Sequence, residues 1–152
     1  MGQGVAASAK AFGAQVQVAE LDPARALQAK YDGWPVVDLG NAVKDADVIA
    51  TATGGYGVVS AKHLDAMKEG TFILNVGHVA QEIDVPYLKE NANHSEPMPY
   101  VNAYTLNGKT LFLLADGSMF NLTAGYGDSL NAFDVTLAVM AAGIGLSLIH
   151  IS

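Results

Sequence analysis

Short apolar runs rich in β-branched residues alternate with helix-forming stretches along most of this chain. The apolar runs cover residues 16–19, 34–37, 47–51 and 71–76, and the last of them is the most strand-like. An alternation of this kind is typical of a β-sheet with helices packed on it. The pattern therefore predicts an α/β fold.

Capping residues mark where the intervening helices begin. Asp22 is a predicted N-cap, with Pro23 at the first helical position, and Ser60 is another N-cap. Gly143 and Gly145 are expected to weaken the last helix toward its end. The predicted helices cover residues 24–29, 41–44, 60–67, a short stretch opened by Asp84 and Pro86, and about 129–146.

A β-hairpin is predicted in the second half of the chain. Residues 100–106 and 109–115 flank Asn107-Gly108, a pair that suits a type I′ turn. Irregular stretches are predicted on either side of it, at Pro97 and Pro99 and over residues 117–127.

Composition excludes several classes of protein. A length of 152 residues suits one domain, and 51% apolar with 15% charged residues excludes a disordered chain. The absence of cysteine excludes disulfides, thiolate nucleophiles and cysteine-bound zinc. The net charge is −7 and the Lys and Arg residues are scattered, so nucleic acid is not an expected partner. No apolar run has the length of a membrane span and no export signal is present, so we expect a cytoplasmic protein.

Functional groups in an open parallel sheet collect beyond the carboxyl ends of its strands. The first candidate is the start of the chain, where Gly2, Gln3 and Gly4 open a helix and a strand ending in Glu20 follows. In a dinucleotide-binding fold, glycines approach the pyrophosphate and an acidic residue about 20 positions further on binds the ribose. Taken alone, an ordinary helix start and a solvated acid explain these residues equally well.

Three further candidates follow later strands. Thr53 and Gly54 stand where a glycine lets the backbone approach a ligand, although a plain turn is the simpler explanation of these residues alone. His78, after Gly77, is a candidate general acid or base. Asn121 has an amide that can pair with a carboxamide. The remaining histidines, His63, His94 and His150, are predicted to be structural.

Together, these segments resemble the NAD-binding domain of S-adenosyl-L-homocysteine hydrolase, also called adenosylhomocysteinase. The resemblance runs from Gly2 to about Met140 and lies in the order and spacing of short segments. These are Gly2-Gln3-Gly4-Val5-Ala6, Phe12-Gly13-Ala14, Glu20-Leu21-Asp22-Pro23, Ala26-Leu27-Gln28-Ala29, Thr51-Ala52-Thr53-Gly54, Asn75-Val76-Gly77-His78, Glu82-Ile83-Asp84, Leu113-Leu114-Ala115-Asp116-Gly117 and Asn121-Leu122. The resemblance implies a Rossmann-like parallel sheet with flanking helices over residues 1–146, with a late hairpin and a carboxyl-terminal helix.

The resemblance also implies an activity. Such an enzyme belongs to the methionine cycle and keeps NAD bound as an internal oxidant while it hydrolyses S-adenosyl-L-homocysteine reversibly to adenosine and homocysteine. Hydride leaves the 3′-hydroxyl of the adenosine moiety, the ketone acidifies the 4′ C–H, homocysteine is eliminated, water adds and hydride returns. This chemistry needs a closed site and proton-transfer groups tuned by burial. The full-length parent is expected to be a cytoplasmic homotetramer without a metal.

Residue roles carry over from the family by position. Gly2, Gln3 and Gly4 are expected at the pyrophosphate, and Glu20 at the adenosine ribose of NAD. His78 is the expected proton-transfer or substrate-contacting group. The implied cofactor-binding residues are Gly2, Gln3, Gly4, Glu20, Arg25, Thr53, Gly54, Val76, Gly77, His78 and Asn121.

The chain departs from the family at three places. It starts inside the glycine motif, so the first strand and the separate substrate domain are expected to be missing, and the strand ending at Glu20 either pairs with residues 47–51 or leaves an open edge. Asp128 stands where the family has a histidine, and an ionised aspartate donates no proton. Residues 148–152 resemble translated sequencing adaptor. We therefore expect a poorly soluble fragment that binds NAD weakly and is inactive by itself.

Two other interpretations are possible from the sequence. Asp128 suggests a non-catalytic homologue that binds NAD as a regulatory or interaction module. A hydroxyacid dehydrogenase of related fold ranks last, because the arginine and the glutamate-histidine pair that it needs are not found in place. Within the hydrolase interpretation, the substrate is open between an adenosyl, an inosyl and another purine nucleoside conjugate.

Overall fold

The centre of the computed structural model, which describes residues 1–125 and 130–149, is a five-stranded mixed β-sheet. Its strands are β1 (Val48–Thr51), β2 (Phe72–Asn75), β3 (Asn93–Met98), β4 (Val101–Leu106) and β5 (Lys109–Leu114). The helices are α1 (Gly2–Ala11), α2 (Pro23–Tyr31), α3 (Leu39–Ala42), α4 (Ala61–Ala66), α5 (Val85–Asn91), α6 (Phe120–Thr123) and α7 (Leu130–Ile149), and 3₁₀ turns cover Ala80–Glu82 and Ala115–Gly117. The predicted Rossmann-like α/β fold is confirmed.

The direction of the strands determines where their ends meet. The strand order is β1-β2-β5-β4-β3. β1, β2 and β5 run parallel, with Thr51 opposite Asn75 and Phe72 opposite Phe112, while β4 and β3 are antiparallel additions. The carboxyl ends of the three parallel strands therefore lie along one edge, the position at which open α/β sheets bind ligands.

An apolar layer holds α4 and α5 against one face of the sheet. Ile49, Ile73 and Leu113, one from each parallel strand, are buried in a cluster with Leu64 of α4 and Leu88 of α5. Alternation along a strand places every second residue on the same face. Thr51, at the end of β1, and Asn75, at the end of β2, therefore lie on the same buried face as Ile49 and Ile73.

Local sequence signals account for several element boundaries. The Asp22 carboxylate accepts a hydrogen bond from the N–H of Ala24 at 2.8 Å, and Asp84 accepts one from the N–H of Tyr87 at 3.2 Å. Both are N-caps, as predicted. Asn107 and Gly108 have φ values of 52° and 80°, as a type I′ turn requires, and they join β4 to β5.

The segment before residue 40 is attached to the sheet less extensively than predicted. The two predicted strands over residues 16–19 and 34–37 pair through one parallel bridge, between Val18 and Val36. The Lys10 ammonium lies 5.0 Å from the centre of the Trp34 ring and links α1 to this segment. Within the described residues β1 is an end strand of the sheet, so of the two expected arrangements the open edge is the one observed.

The sequence pattern did not predict β3. This strand contains Pro97, and its pairing with β4 is irregular between Ser95 and Met98. Proline is compatible with an edge strand, because the outer side of that strand needs no backbone donor. The prolines therefore distort the pairing of β3 without preventing it.

Other boundaries also differ from prediction. The predicted loop over residues 117–127 contains α6, and the brief helix predicted at 41–44 begins earlier, at Leu39. α7 continues through Gly143 to Ile149, because the surrounding alanine and leucine residues are strong helix formers. Residues 126–129, which include Asp128, and residues 150–152 lie outside the described part of the chain.

Candidate functional site

Asn75, the last residue of β2, connects the ends of all three parallel strands. Its buried side chain donates from Nδ2 to the carbonyls of Val79, at 2.8 Å, and Gly117, at 3.1 Å. Its Oδ1 accepts from the Gly77 N–H, at 2.7 Å, and the Thr51 hydroxyl, at 3.2 Å. All four hydrogen-bonding positions of the amide are thus filled. The turns after β2 and β5 are held against the end of β1.

Glu82 makes a second connection between two of these turns. Its carboxylate is fully buried and accepts from the Thr53 N–H at 3.0 Å, the Thr53 hydroxyl at 2.9 Å and the Gly54 N–H at 2.7 Å. A Cβ on Gly77 would overlap Glu82 Oε1. The turn after β1 and the turn after β2 therefore approach each other closely around one buried carboxylate.

The N-terminus of α1 lies beside the end of β1. A Cβ placed on Gly2 would be 3.6 Å from the Cβ of Ala52, while one on Gly4 would meet nothing within 4 Å. The first turn of a helix has N–H groups without intrahelical partners and a positive partial charge. Gly2, Gln3 and Gly4 thus offer an anion-binding helix end next to the strand-end turns.

His78 is exposed and lies over the turn that follows β1. A Cβ on Gly54 would be 3.7 Å from His78 Cε1, and the φ of +70° at Gly54 favours glycine there in any case. The structure therefore brings together two groups that the sequence predicted separately, the Thr53-Gly54 turn and the Gly77-His78 turn.

Asn121, in α6, has a buried side-chain oxygen. Its Oδ1 makes no hydrogen bond with any described residue. Met119, two residues earlier, forms a parallel bridge with Asn75, so α6 starts beside the end of β2. Buried polar atoms in native proteins are normally hydrogen-bonded. Such an oxygen fits a ligand that donates from an amide, such as a carboxamide.

Glu20 and Arg25 lie on the amino-terminal segment, apart from these turns. Glu20 Oε1 accepts from the N–H groups of Leu21, at 2.8 Å, and Asp22, at 3.0 Å. Arg25 is exposed in the first turn of α2. Within the described residues, neither side chain hydrogen-bonds to the strand-end turns.

The two described histidines predicted to be structural make local contacts. His63 Nδ1 accepts a hydrogen bond from the Ser60 N–H at 3.1 Å at the start of α4, and burial lowers its pKa, with the charge of Lys62 adding to the effect. His94 lies 2.8 Å from the Asn102 amide oxygen and packs on the Tyr104 ring. None of these contacts involves the strand-end turns.

A separate cavity of about 540 Å³ is lined by residues that include Lys89, Tyr104 and Asp116, and none of the predicted site residues lines it. Lys89 and Asp116 form an ion pair of 2.8 Å at its border, and the hydrogen bond from Lys89 to Asp116 raises the Lys89 pKa. Burial raises the pKa of Tyr104 in its wall. The charges of Lys89 and Asp116 are paired with each other, and Tyr104 packs in the wall. These residues therefore have structural roles in the fold.

Glu82 and Asn75 are the site residues that sequence reasoning missed. Each belongs to a segment that carries the family resemblance, but neither was given a role. No local signal in the sequence marks Glu82. For Asn75, the available signal was an amide side chain at the end of an apolar strand, two residues before Gly77. Such a side chain is buried only if several donors or acceptors meet it.

Comparison with known proteins assigns this arrangement to a family. The family model "S-adenosyl-L-homocysteine hydrolase, NAD binding domain" matches residues 1–127. The chain belongs to the S-adenosyl-L-homocysteine hydrolase family. NAD is therefore the cofactor of this domain. The buried oxygen of Asn121, which no described residue hydrogen-bonds, and the N-terminus of α1 at Gly2 fit that cofactor.

Individual relatives agree with the family match. The chain is 40% identical to adenosylhomocysteinase of Saccharolobus solfataricus over 146 residues, which is 95% of this chain and 35% of that protein. It is 42% identical to adenosylhomocysteinase of Thermotoga maritima over 140 residues, or 91% of this chain and 35% of that protein. It is 35% identical to S-inosyl-L-homocysteine hydrolase of Methanopyrus kandleri over 146 residues, or 94% and 34%. The chain thus spans about a third of the length of the curated relatives it matches.

Two structural features were not found in the described part of the chain. No described helix combines the length and the apolar character needed to cross a bilayer. No group of three or more His, Asp or Glu side chains in residues 1–125 and 130–149 is arranged to hold a metal ion.

Proposed function

We propose that this chain binds NAD along the edge formed by the N-terminus of α1 and the turns after β1, β2 and β5. The observation that carries the proposal is the buried Oδ1 of Asn121 beside the end of β2, which has no hydrogen-bond partner among the described residues. An amide-donating group satisfies this oxygen, and the nicotinamide carboxamide is such a group. The family membership of the chain supports the same ligand.

The pyrophosphate binds at the start of α1 in this proposal. Among the described residues, the N–H groups of Gly2, Gln3 and Gly4 have no hydrogen-bond partner and nothing lies within 4 Å of the Cβ position of Gly4. An anion gains from both the N–H groups and the helix dipole. Absence of side chains at Gly2 and Gly4 lets the backbone come close to the phosphates.

Glu20 and Arg25 recognise the adenosine ribose of NAD in this proposal. Glu20 follows the Val18 bridge, the position at which an acidic residue in this fold pairs with the ribose hydroxyls. One of its carboxylate oxygens is held by the N–H groups of Leu21 and Asp22, which fixes the direction of the carboxylate. A negative charge here disfavours the extra phosphate of NADP.

The nicotinamide end lies over the turns after β1 and β2. Thr53, Gly54, Val76 and Gly77 shape its pocket, and Asn121 accepts from its carboxamide. Bound NAD supplies an acceptor for hydride. The exposed imidazole of His78, over Gly54, is the group of this chain that holds or moves a proton next to the reacting sugar.

The parent enzyme is proposed to act on S-adenosyl-L-homocysteine or a related purine nucleoside conjugate. The chain matches relatives named for an adenosyl and for an inosyl substrate, at 35–42% identity. Recognition of the purine base is therefore proposed to depend on the remaining two thirds of those proteins. We propose that the parent is a cytoplasmic homotetramer and that this chain alone is inactive, since it spans about a third of its relatives.

Titration of the chain with NAD, followed by NMR, tests the proposal and detects dissociation constants up to about 1 mM. We expect saturable shifts at Gly54, Gly77 and Asn121, and binding weaker by about tenfold in Asn121→Leu. Asn91→Leu is the control, because Asn91 is exposed at the end of α5 and its amide donates within that helix, to the Tyr87 carbonyl. Shifts confined to other regions, or equal binding by both variants, contradict the proposed site.

A further inference from the structure

We infer that Glu82 is a positioning residue, which holds the turn after β1 and the turn after β2 in the geometry that accepts NAD. This inference rests on the proposed function and deepens it. Glu82 is not assigned a contact with the cofactor. Its role is to fix the backbone of the Thr53-Gly54 turn and to set the space available at Gly77.

The carboxylate is placed to hold a backbone. Glu82 is 0% exposed, and its two oxygens together accept from two consecutive N–H groups, of Thr53 and Gly54, and from the Thr53 hydroxyl. The Gly54 contact is 2.7 Å, in the range of hydrogen bonds to ionised acceptors. A turn held by two consecutive N–H groups has little freedom to rotate its peptide units.

The segment that carries Glu82 is itself fixed to the structure. The Val59 N–H donates to the Glu82 carbonyl at 2.9 Å, and Ile83 forms a parallel bridge with Val59. The Gly57 N–H donates to the Gln81 carbonyl at 2.8 Å. Both ends of the 53–59 turn are therefore tied to the same short segment, one through backbone groups and the other through the carboxylate.

Gly77 explains why the second turn depends on the same side chain. A Cβ on Gly77 would overlap Glu82 Oε1 and lie 3.2 Å from Asn75 Oδ1. Gly77 is absent from the residues with positive φ, so the carboxylate, and not the backbone conformation, is what requires glycine. The Glu82 side chain occupies the space beside Gly77. A larger residue in place of Gly77 would therefore push the Gly77-His78 turn outward.

Glu82→Gln tests the inference with an almost isosteric change. The amide nitrogen cannot accept, so at least one of the three donors loses its partner. We expect amide hydrogen exchange at Thr53 or Gly54 to become about tenfold faster or more, and NAD to bind about tenfold more weakly. Glu69→Gln is the matched control, because the exposed Glu69 carboxylate also accepts one backbone N–H, from Thr110, at the opposite end of the sheet. It is expected to leave both measurements unchanged.

A second variant leaves Glu82 in place and covers the case in which Glu82→Gln fails to fold. Gly77→Ala is expected to lower NAD affinity and to speed exchange at Gly54 about tenfold, because the new methyl group displaces the carboxylate. Gly70→Ala, before the other end of β2, is the control and is expected to leave exchange at Gly54 unchanged. Equal exchange at Gly54 in both variants overturns the inference.

The outcomes separate the inference from the proposed function. Faster exchange at Thr53 or Gly54 in Glu82→Gln alone, with weaker NAD binding, supports the inference. Wild-type exchange and wild-type NAD affinity in Glu82→Gln overturn it. If the wild-type chain shows no NAD binding, the proposed function fails, and exchange at Thr53 and Gly54 then decides the role of Glu82 by itself.

Discussion

Asn75 and Gly117 are 42 residues apart and are joined by a 3.1 Å hydrogen bond from the Asn75 amide to the Gly117 carbonyl. The bond fastens the turn after β5 to the end of β2. Gly117 has a φ of +75°, and a Cβ there would be 2.8 Å from Val85 Cγ2. The edge of the sheet that we propose binds NAD is therefore held together by directional polar contacts and by close packing at a glycine.

Asn75→Asp is predicted to destabilise the fold strongly. The change removes the two N–H donors and places a buried carboxylate against the carbonyls of Val79 and Gly117. An uncompensated buried charge of this kind costs about 3–5 kcal/mol. Urea denaturation measures the loss. Asn91→Asp, which removes one exposed amide donor, is expected to cost below about 1 kcal/mol, and a similar loss in both variants argues against the role of Asn75.

Gly117→Ala is predicted to cost more stability than Gly70→Ala. Both glycines have positive φ, at +75° and +81°, so both variants bear about 1 kcal/mol of backbone strain. Gly70 has open space around its Cβ position, whereas Gly117 adds the overlap with Val85, worth about 1–3 kcal/mol more. The difference between the two variants in thermal or urea unfolding isolates the packing contribution, and no difference means that the turn relaxes freely.

Glu20→Gln is predicted to weaken NAD binding by about tenfold and to reduce discrimination against NADP. The neutral side chain loses charge-assisted hydrogen bonds to the ribose hydroxyls and no longer repels an added phosphate. Parallel titrations with NAD and NADP measure both effects. Glu90→Gln, an exposed residue of α5, serves as the charge-matched control. Unchanged discrimination in Glu20→Gln excludes Glu20 from the ribose site.

His63 is predicted to make the fold less stable in mild acid. Its folded-state pKa is lowered from the ordinary 6.5, first by burial and then by Lys62, with Asp38 acting in the opposite direction. The unfolded chain therefore binds this proton more readily, so stability is retained above about pH 6.5 and falls as the pH drops below it. Protonation also removes the Nδ1 acceptor for the Ser60 N–H, a cap worth about 1 kcal/mol.

His63→Glu tests this prediction. Glutamate at the same helical position accepts the Ser60 N–H in an ordinary capping box and stays ionised between pH 7 and 5. Unfolding free energies measured across that range are expected to vary less in this variant than in the wild type. His94→Gln should keep the wild-type dependence. A wild-type profile in His63→Glu assigns the acid sensitivity to another group.

Local signals in the sequence predicted much of the fold. Asp22 and Asp84 cap helices, and Asn107-Gly108 forms a hairpin turn, because each of these structures is determined by a few consecutive residues. β3 was missed because its pairing with β4 depends on tertiary contacts that outweigh the effect of Pro97. The strands predicted over residues 16–19 and 34–37 are reduced to one bridge, between Val18 and Val36, for a similar reason. The length of a strand depends on the partners available to pair with it.

The candidate site was predicted less completely. Glycine positions and His78 follow strand ends in the sequence, so their grouping at one edge could be expected from the direction of the strands. Glu82 could not, because its partners Thr53 and Gly54 are 29 and 28 residues away and nothing local distinguishes it from an exposed acid. Long-range hydrogen bonds of this type become visible only when the fold is known.

The four hydrogen bonds of Asn75 also determine how this edge of the protein opens. One amide holds Thr51 at the end of β1, Gly77 and Val79 in the turn after β2, and Gly117 in the turn after β5. Neither turn can therefore detach while the other and the end of β1 keep their full set of contacts. Local unfolding here is expected to be a single cooperative event rather than independent fraying of two loops. The edge thus behaves as one subglobal opening unit, which any ligand bound across it stabilises as a whole.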